Sequence, residues 1–306
     1  DIEKVGEDAT FALVERRYRG LCKLRKMLGD DDLDYKPYGG YELFTDDEES
    51  IYRKCKSSIP YFNDKISKII KTEQCFSTKD ELIGTFGFQH VDHLIWNNAE
   101  GQLDTGKMMK KLLFMAQQLD VELRFGMPIE SMEDGADGVT LVTGFGWSLQ
   151  TAKLVIATNG FTHDLVKHLD VTPARNLVLI TEPIPNLKVK GSFHYENGYY
   201  YFRNIHNRIL LGGGRNLAME SESTAEFGAN ELIKSVLVQL LHTKIVPGRT
   251  AKIEGWWSGI LGIGKEKSPI LKHISPNVVV AVRMGGMGVA IGSLVGEEAA
   301  NLVVNH

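Results

Sequence analysis

Asn277-Val278-Val279-Val280-Ala281-Val282-Arg283-Met284-Gly285-Gly286-Met287-Gly288-Val289-Ala290-Ile291-Gly292 is the stretch whose reading decides the fold. Its first part is continuously apolar, the mark of a strand covered on both faces. The glycines let the backbone turn sharply and approach a ligand. Val289 to Val304 then reads as a helix, so the turn offers unpaired N–H groups and positive potential. The GxGxxxG spacing of Gly286, Gly288 and Gly292 is that of a dinucleotide-binding turn. Such a unit is completed by a second strand and an acidic residue about 20 positions on. Only fourteen residues follow Gly292, so a nicotinamide-type unit is rejected. Two readings stay open: a tight turn packed on glycine, or a helix N-terminus aimed at the electron-rich ring of a bound cofactor.

A second buried strand, Lys153-Leu154-Val155-Ile156-Ala157, precedes Thr158-Asn159-Gly160 and a short helix near Thr162. Between and around these pieces the pattern is different. Strands are expected at 38–44, 82–97, 121–125, 129–134, 138–143, 147–150, 177–182, 198–203, 208–212 and 251–259. Helices are expected at 11–28, 48–57, 61–71, 104–119 and 225–241. Asp30-Asp31-Asp32 reads as a solvated loop. Buried α/β pieces interleaved with antiparallel strands predict a mixed α/β fold of two domains with crossing chain segments.

At 306 residues the chain is long enough for a large core, and 43% apolar residues mark it as globular. A formal charge of −4 leaves no basic excess to neutralise nucleic-acid phosphates, so no nucleic-acid partner is expected. The three cysteines Cys22, Cys55 and Cys75 form no CxxC pair, which argues against a disulfide framework and for a reducing, cytoplasmic location. Charges at Arg283, Glu297 and Glu298 interrupt the most apolar stretch, so no membrane span is expected. His90 and His93 flank Asp92 without a third ligand in view, so no metal site is assigned.

Four segments resemble, in order, motifs of the D-amino acid oxidase superfamily of FAD-dependent oxidoreductases, which includes glycine oxidase and sarcosine oxidase. Glu100-Gly101-Gln102-Leu103-Asp104-Thr105 resembles its GxxDP turn. Lys153 to Gly160 resembles its strand ending in AxGA. Tyr199-Tyr200-Tyr201-Phe202-Arg203 with Arg208 to Gly213 resembles its substrate-domain strand pair. Trp257-Ser258-Gly259 through Pro269-Ile270 to Val289 resembles its closing block. The resemblance spans residues 100–304. It implies a partial FAD-binding Rossmann-like domain (1–30, 101–171 and 274–306). It also implies a substrate domain (31–100 and 172–273) around a mixed, mainly antiparallel sheet.

The implied function is oxidation of a C–N bond of an amine or amino acid by hydride transfer to FAD; the alternative is a non-catalytic binding module of the same fold. Ala157, Thr158, Asn159, Gly160, Gly285, Gly286, Met287, Gly288 and Val289 are the expected cofactor-binding residues. Tyr199, Tyr201, Arg203 and Trp257 are the expected substrate-binding residues, and no catalytic residue is assigned. Three departures from the family pattern stand out. Leu261 occupies the position of the arginine that holds a substrate carboxylate in several members. Leu210 occupies that of a lysine linked to oxygen reactivity, and Met287 that of a histidine. No cysteine follows Cys75, so FAD is expected to be non-covalent. The family's N-terminal GxGxxG unit does not precede Phe11. A chain truncated by about 80 residues, the size of a βαβ unit with its approach, is therefore expected, holding FAD weakly or not at all and inactive by itself.

Overall fold

The computed structural model describes residues 2–248 and 250–305. Positions 1 and 306, the outer ends of the expected cofactor-side domain, lie outside them.

The chain opens with α1 (Ile2–Val5) and α2 (Glu7–Leu28), which Gly29 ends in the left-handed region at φ 85°. Asp30–Leu33 forms a short helix, α3, where a loop is expected. Its start is clamped by Arg25, whose Nε and Nη2 donate to the two Asp30 oxygens at 2.8 and 2.7 Å. After β1 (Gly40–Phe44), a single α4 (Glu49–Ile70) replaces the two expected helices and runs through Pro60. Proline removes one helical donor. The helix persists because Tyr52 and Ile59 pack beside Phe44 and Ile95, while Phe62, Ile66 and Ile70 pack beside Phe11 and Val14 of α2.

The expected strand at 82–97 is also corrected. β2 (Phe76–Thr78) is followed by α5 (Leu82–Phe86), and only β3 (His93–Asn97) is extended. Tertiary packing overrides the aromatic β-propensity here: Phe86 and Phe88 are consumed by the core rather than by a ladder. In α6 (Thr105–Gln118) the Asp104 Oδ1 accepts the Lys107 N–H at 3.0 Å, a helix N-cap. Residues 121–125 form no strand. No strand lies alongside to pair with them.

The antiparallel meander is as expected: β4 (Ile129–Gly135), β5 (Gly138–Thr143) and β6 (Ser148–Thr151). Then follow β7 (Leu154–Ile156), α7 (Thr162–Leu165), β8 (Thr172–Thr181), β9 (Ser192–Tyr195), β10 (Tyr200–Ile205) and β11 (Arg208–Gly213). Next come α8 (Glu231–Leu240), β12 (Ile253–Ile263), β13 (Ile270–Ser275), β14 (Val278–Val282) and α9 (Gly288–Val304). An eight-stranded sheet runs β12-β8-β11-β10-β9-β1-β3-β2. It is mixed: β1 pairs parallel with β9, and its other pairs are antiparallel. A three-stranded sheet runs β13-β14-β7, with β14 and β7 parallel. Every residue of β14 is buried. β7 is an edge strand with Val155 39% exposed, so the expectation of two covered faces fails there.

The large sheet has two unlike faces, set by the period-two alternation of its strands. One face carries Tyr41, Leu43, Phe193, Tyr200, Phe202, Ile209, Leu211, Leu177 and Leu179, the main core. Phe193 stacks between Tyr41 and Phe202 at 4.9 and 4.7 Å. The opposite face carries Glu42, Ser192, His194, Tyr201 and Arg203, in register from β1 to β10. Glu42 makes no hydrogen bond or ion pair among the described residues. Burial, helped by the charges of Glu100 and Glu48, pushes its carboxyl up to about 7.

Elsewhere a buried pair anchors the loop after β11. Glu222, 1% exposed, receives Arg175 Nε and Nη2 at 2.8 and 2.9 Å. That bidentate contact holds its carboxyl below the usual range.

Two outcomes follow. Between pH 4.5 and about 7 the folded chain keeps a proton on Glu42 that the unfolded chain has released. Stability therefore falls as pH rises through that window and is level above it. Glu42→Gln should flatten this slope and add about 1 kcal/mol at pH 8; denaturant titrations at pH 5 and 8 check it, and parallel wild-type and variant profiles would contradict it. Arg175→Ala strands the Glu222 charge and should cost about 3 kcal/mol at pH 7. For Glu222 the sign is opposite. Its contribution is present above the ordinary glutamate range and is lost as pH falls through the lowered folded value, so the penalty of Arg175→Ala should shrink toward pH 3.

Candidate functional site

Two turns meet at the C-terminal ends of the parallel strands β7 and β14. The turn after β7 carries Asn159, whose Oδ1 accepts the Met284 N–H of the turn after β14 at 3.1 Å. The Gly285 N–H donates to the Gly262 carbonyl of β12 at 3.0 Å. Gly160 presses on the same strand: a Cβ there would lie 2.7 Å from the Leu261 carbonyl oxygen, so a side chain cannot fit. Thr158 and Thr162 exchange a hydroxyl bond at 3.1 Å that closes the turn.

A groove of about 340 Å³ runs along these turns. Of the expected cofactor-binding residues, Ala157, Asn159, Gly286, Gly288 and Val289 line it. Thr158, Gly160 and Gly285 shape the turns behind it. The sequence reading missed Gly292 and Gly296 of α9, which continue the wall with Ala281, Met284 and Leu261. Their signal was the four-residue glycine spacing, read only as far as Gly292.

A second cavity, of about 490 Å³, shares Gly286 and Val289 with the groove. Met287 faces this cavity rather than the groove, together with Ala290. Its other walls are α2 (Val14, Arg17, Tyr18, Leu21), the 97–105 turn and the strands β9 and β10. Arg203 enters from β10. Its Nη1 donates to the Leu103 carbonyl at 2.7 Å, and it forms no ion pair among the described residues. Burial lowers the pKa of its guanidinium, as it does for Arg17.

The remaining expected substrate residues are spread out. Tyr201 shares Arg203's face of β10, and its hydroxyl accepts from Asn176 Nδ2 at 3.3 Å. Burial pushes that hydroxyl up to about 12. Trp257 lies on the same face at the sheet edge, opposite Val178, and is 45% exposed. Tyr199 lies before β10 in a turn and is 44% exposed. None of Tyr201, Trp257 and Tyr199 lines either cavity; of the four expected substrate residues Arg203 alone does. Arg17, Glu100, Gln102 and His194 do line the larger one and were not singled out from sequence. Arg17 alone carried a signal, as a basic residue inside the inward stripe of α2.

His93 sits between two carboxylates, with Nε2 3.0 Å from Glu49 and Nδ1 2.9 Å from Asp80. Its ring stacks on Tyr52 at 3.7 Å.

The groove can be tested against a flavin. A Cβ built on Gly285, Gly286, Gly292 or Gly296 meets no heavy atom within 4 Å. Gly286, Gly292 and Gly296, which line the groove, therefore leave open space that side chains would fill, which suits the face of a planar ring. The phosphate half is different, since the 306 residues contain no GxGxxG.

The comparisons agree with this geometry. A family model described as FAD dependent oxidoreductase (DAO) matches residues 4–302. No curated protein matches. Glycine oxidase from Geobacillus kaustophilus is similar in structure, with a TM-score of 0.76 at 18% identity over 97% of this chain and 79% of that one. Iminodiacetate oxidase (IdaA) from Chelativorans sp. BNC1 gives 0.75 at 16% identity over 97% and 80%. L-proline dehydrogenase from P. horikoshii gives 0.74 at 17% identity over 95% and 79%. At these identities the solved structures speak to fold, and the family match decides membership: the chain belongs to the DAO family of FAD-dependent oxidoreductases.

Proposed function

We propose that this chain oxidises a C–N bond of an amine or amino acid, with FAD as the non-covalent hydride acceptor. The observation that carries this reading is the half-buried Arg203, without an ion pair among the described residues, in a cavity that shares its wall with the glycine turn. A guanidinium with free donors is what a substrate carboxylate needs, and the family's usual position for it holds Leu261. Arg203 thus anchors the substrate, held on β10 by its bond to the Leu103 carbonyl.

When bound, the flavin supplies the redox chemistry. The residues of this chain position and enclose. Ala157, Asn159, Gly286, Gly288 and Val289 form the ring-facing wall, with Met287 toward substrate. Tyr201 braces the sheet beside Arg203. The domain division that serves this site places 31–100 and 172–273 on the substrate side. Residues 1–30, 101–171 and 274–306 fall on the cofactor side. The three cysteines are free thiols, which supports a reducing location, and among the described residues no helix is long and apolar enough to cross a membrane.

A second reading, a binding module without turnover, is favoured by Leu261 and Leu210 at positions where the family places an arginine and a lysine. The two readings separate in one assay: anaerobic addition of an amine and amino-acid panel to the FAD-loaded protein. Bleaching of flavin absorbance is expected with at least one carboxylate-bearing amine; no bleaching with any would favour the module. Arg203→Ala should raise KM for that substrate by at least tenfold, with a smaller change in kcat, if the group acts in binding. Because no glycine-rich phosphate loop lies within the 306 residues, FAD titration of this chain should give micromolar or weaker affinity. Stoichiometric retention of FAD through gel filtration would contradict that.

A further inference from the structure

The larger cavity holds a second guanidinium that the reading above does not use. Arg17 projects from α2 into it. Its Nε is buried without a hydrogen-bond partner, and it forms no ion pair among the described residues. Arg16 Nε on the same helix is also buried without a partner, so what sets Arg17 apart is the missing ion pair. Its neighbours Arg16 and Lys23 are both paired, with Glu298 and Glu297 of α9. An acceptor is also orphaned in the same cavity. Gln102 Oε1 is buried and unpartnered, while its Nε2 donates to Asn204 Oδ1 at 3.2 Å. Glu100 lines the cavity beside it, with Oε1 accepting from Asn97 Nδ2 at 2.8 Å and no cation paired to it.

We propose that this cavity selects an acidic amino acid, with one carboxylate at Arg203, the second at Arg17, and the ammonium or amine between Glu100 and Gln102. The pairing of the two guanidiniums decides for two carboxylates over one. Arg17 has no ion pair among the described residues, while the Asp104 carboxylate, which caps α6 and keeps its charge there, acts on Arg203 from outside the cavity lining. A ligand with one carboxylate, held at Arg203, would leave the Arg17 guanidinium uncompensated, which is costly. A ligand with two carboxylates and one ammonium brings a carboxylate to each guanidinium. It also answers the orphaned donor of Arg17 and the orphaned acceptor of Gln102. The assignment of Arg203 rests on the amine-oxidising reading; that of Arg17 rests on the cavity itself.

The test compares ligands of equal size. Calorimetric titration of the protein, with and without added FAD, is run with each enantiomer of glutamate, aspartate, glutamine and asparagine. At least one acid should bind tenfold or more tightly than its own amide. Arg17→Gln should erase that preference, and Arg17→Lys should restore part of it; melting curves of both variants verify folding. Equal affinity for acid and amide overturns the proposal, as does a preference that survives Arg17→Gln. Wild-type discrimination alone decides the matter if the variants do not fold. The flavin-bleaching assay fails separately. Acid-selective binding without bleaching by any amine would sink the oxidase reading and leave this site standing.

Discussion

The contact on which the rest of the molecule depends is the seating of the 158–161 turn on β12. Gly160 meets the Leu261 carbonyl so closely that no Cβ fits, and Asn159 bonds the Met284 N–H from the neighbouring turn. This contact fixes the small three-stranded sheet, which presents the glycine wall, against the large sheet, which presents Arg203. Asn159 takes φ 47°, a region its short polar side chain tolerates. Arg283 locks the same junction from β14. It is 6% exposed, at φ 64°, and is held by Asp170 at 2.7 Å and the Ser268 carbonyl at 2.9 Å. A buried guanidinium is stable only when so paired.

That rule gives Arg17 and Arg203 their meaning. Where the fold needs a buried cation for structure, at Arg283 or Arg175, it supplies a carboxylate at hydrogen-bond distance. In the larger cavity it does not. The same cavity is lined on its α2 side by Val14, Tyr18 and Leu21, apolar surface beside which a charge counts for more than in open solvent.

Much of the fold was legible because local and global preferences agree. β14 is apolar at every position and is buried at every position. The meander, the alternation of Tyr200 and Phe202 into the core, and the capped α6 follow the same logic. Part of the site was legible too: Asn159 and the glycines announce close backbone approach by residue type alone. Legibility ended where packing outranked propensity. Pro60 argued for two helices, but Tyr52, Ile59, Phe62 and Ile66 bury along one continuous face. Phe86 and Phe88 looked like strand residues and became core wedges around Phe193.

What the sequence by itself determined was which segments turn, which are buried, and the family to which they belong. These are properties of residue type and spacing, and they need no partner. What only the tertiary structure decided was company. Residues 121–125 have the composition of a strand and no neighbour to pair with. Arg16 and Arg17 are adjacent in sequence and equal in charge. Their helical positions send one to Glu298 and the other into a cavity, because successive residues on a helix face about 100° apart. Charge can be read from a sequence, but whether it is compensated depends on what the fold places within reach.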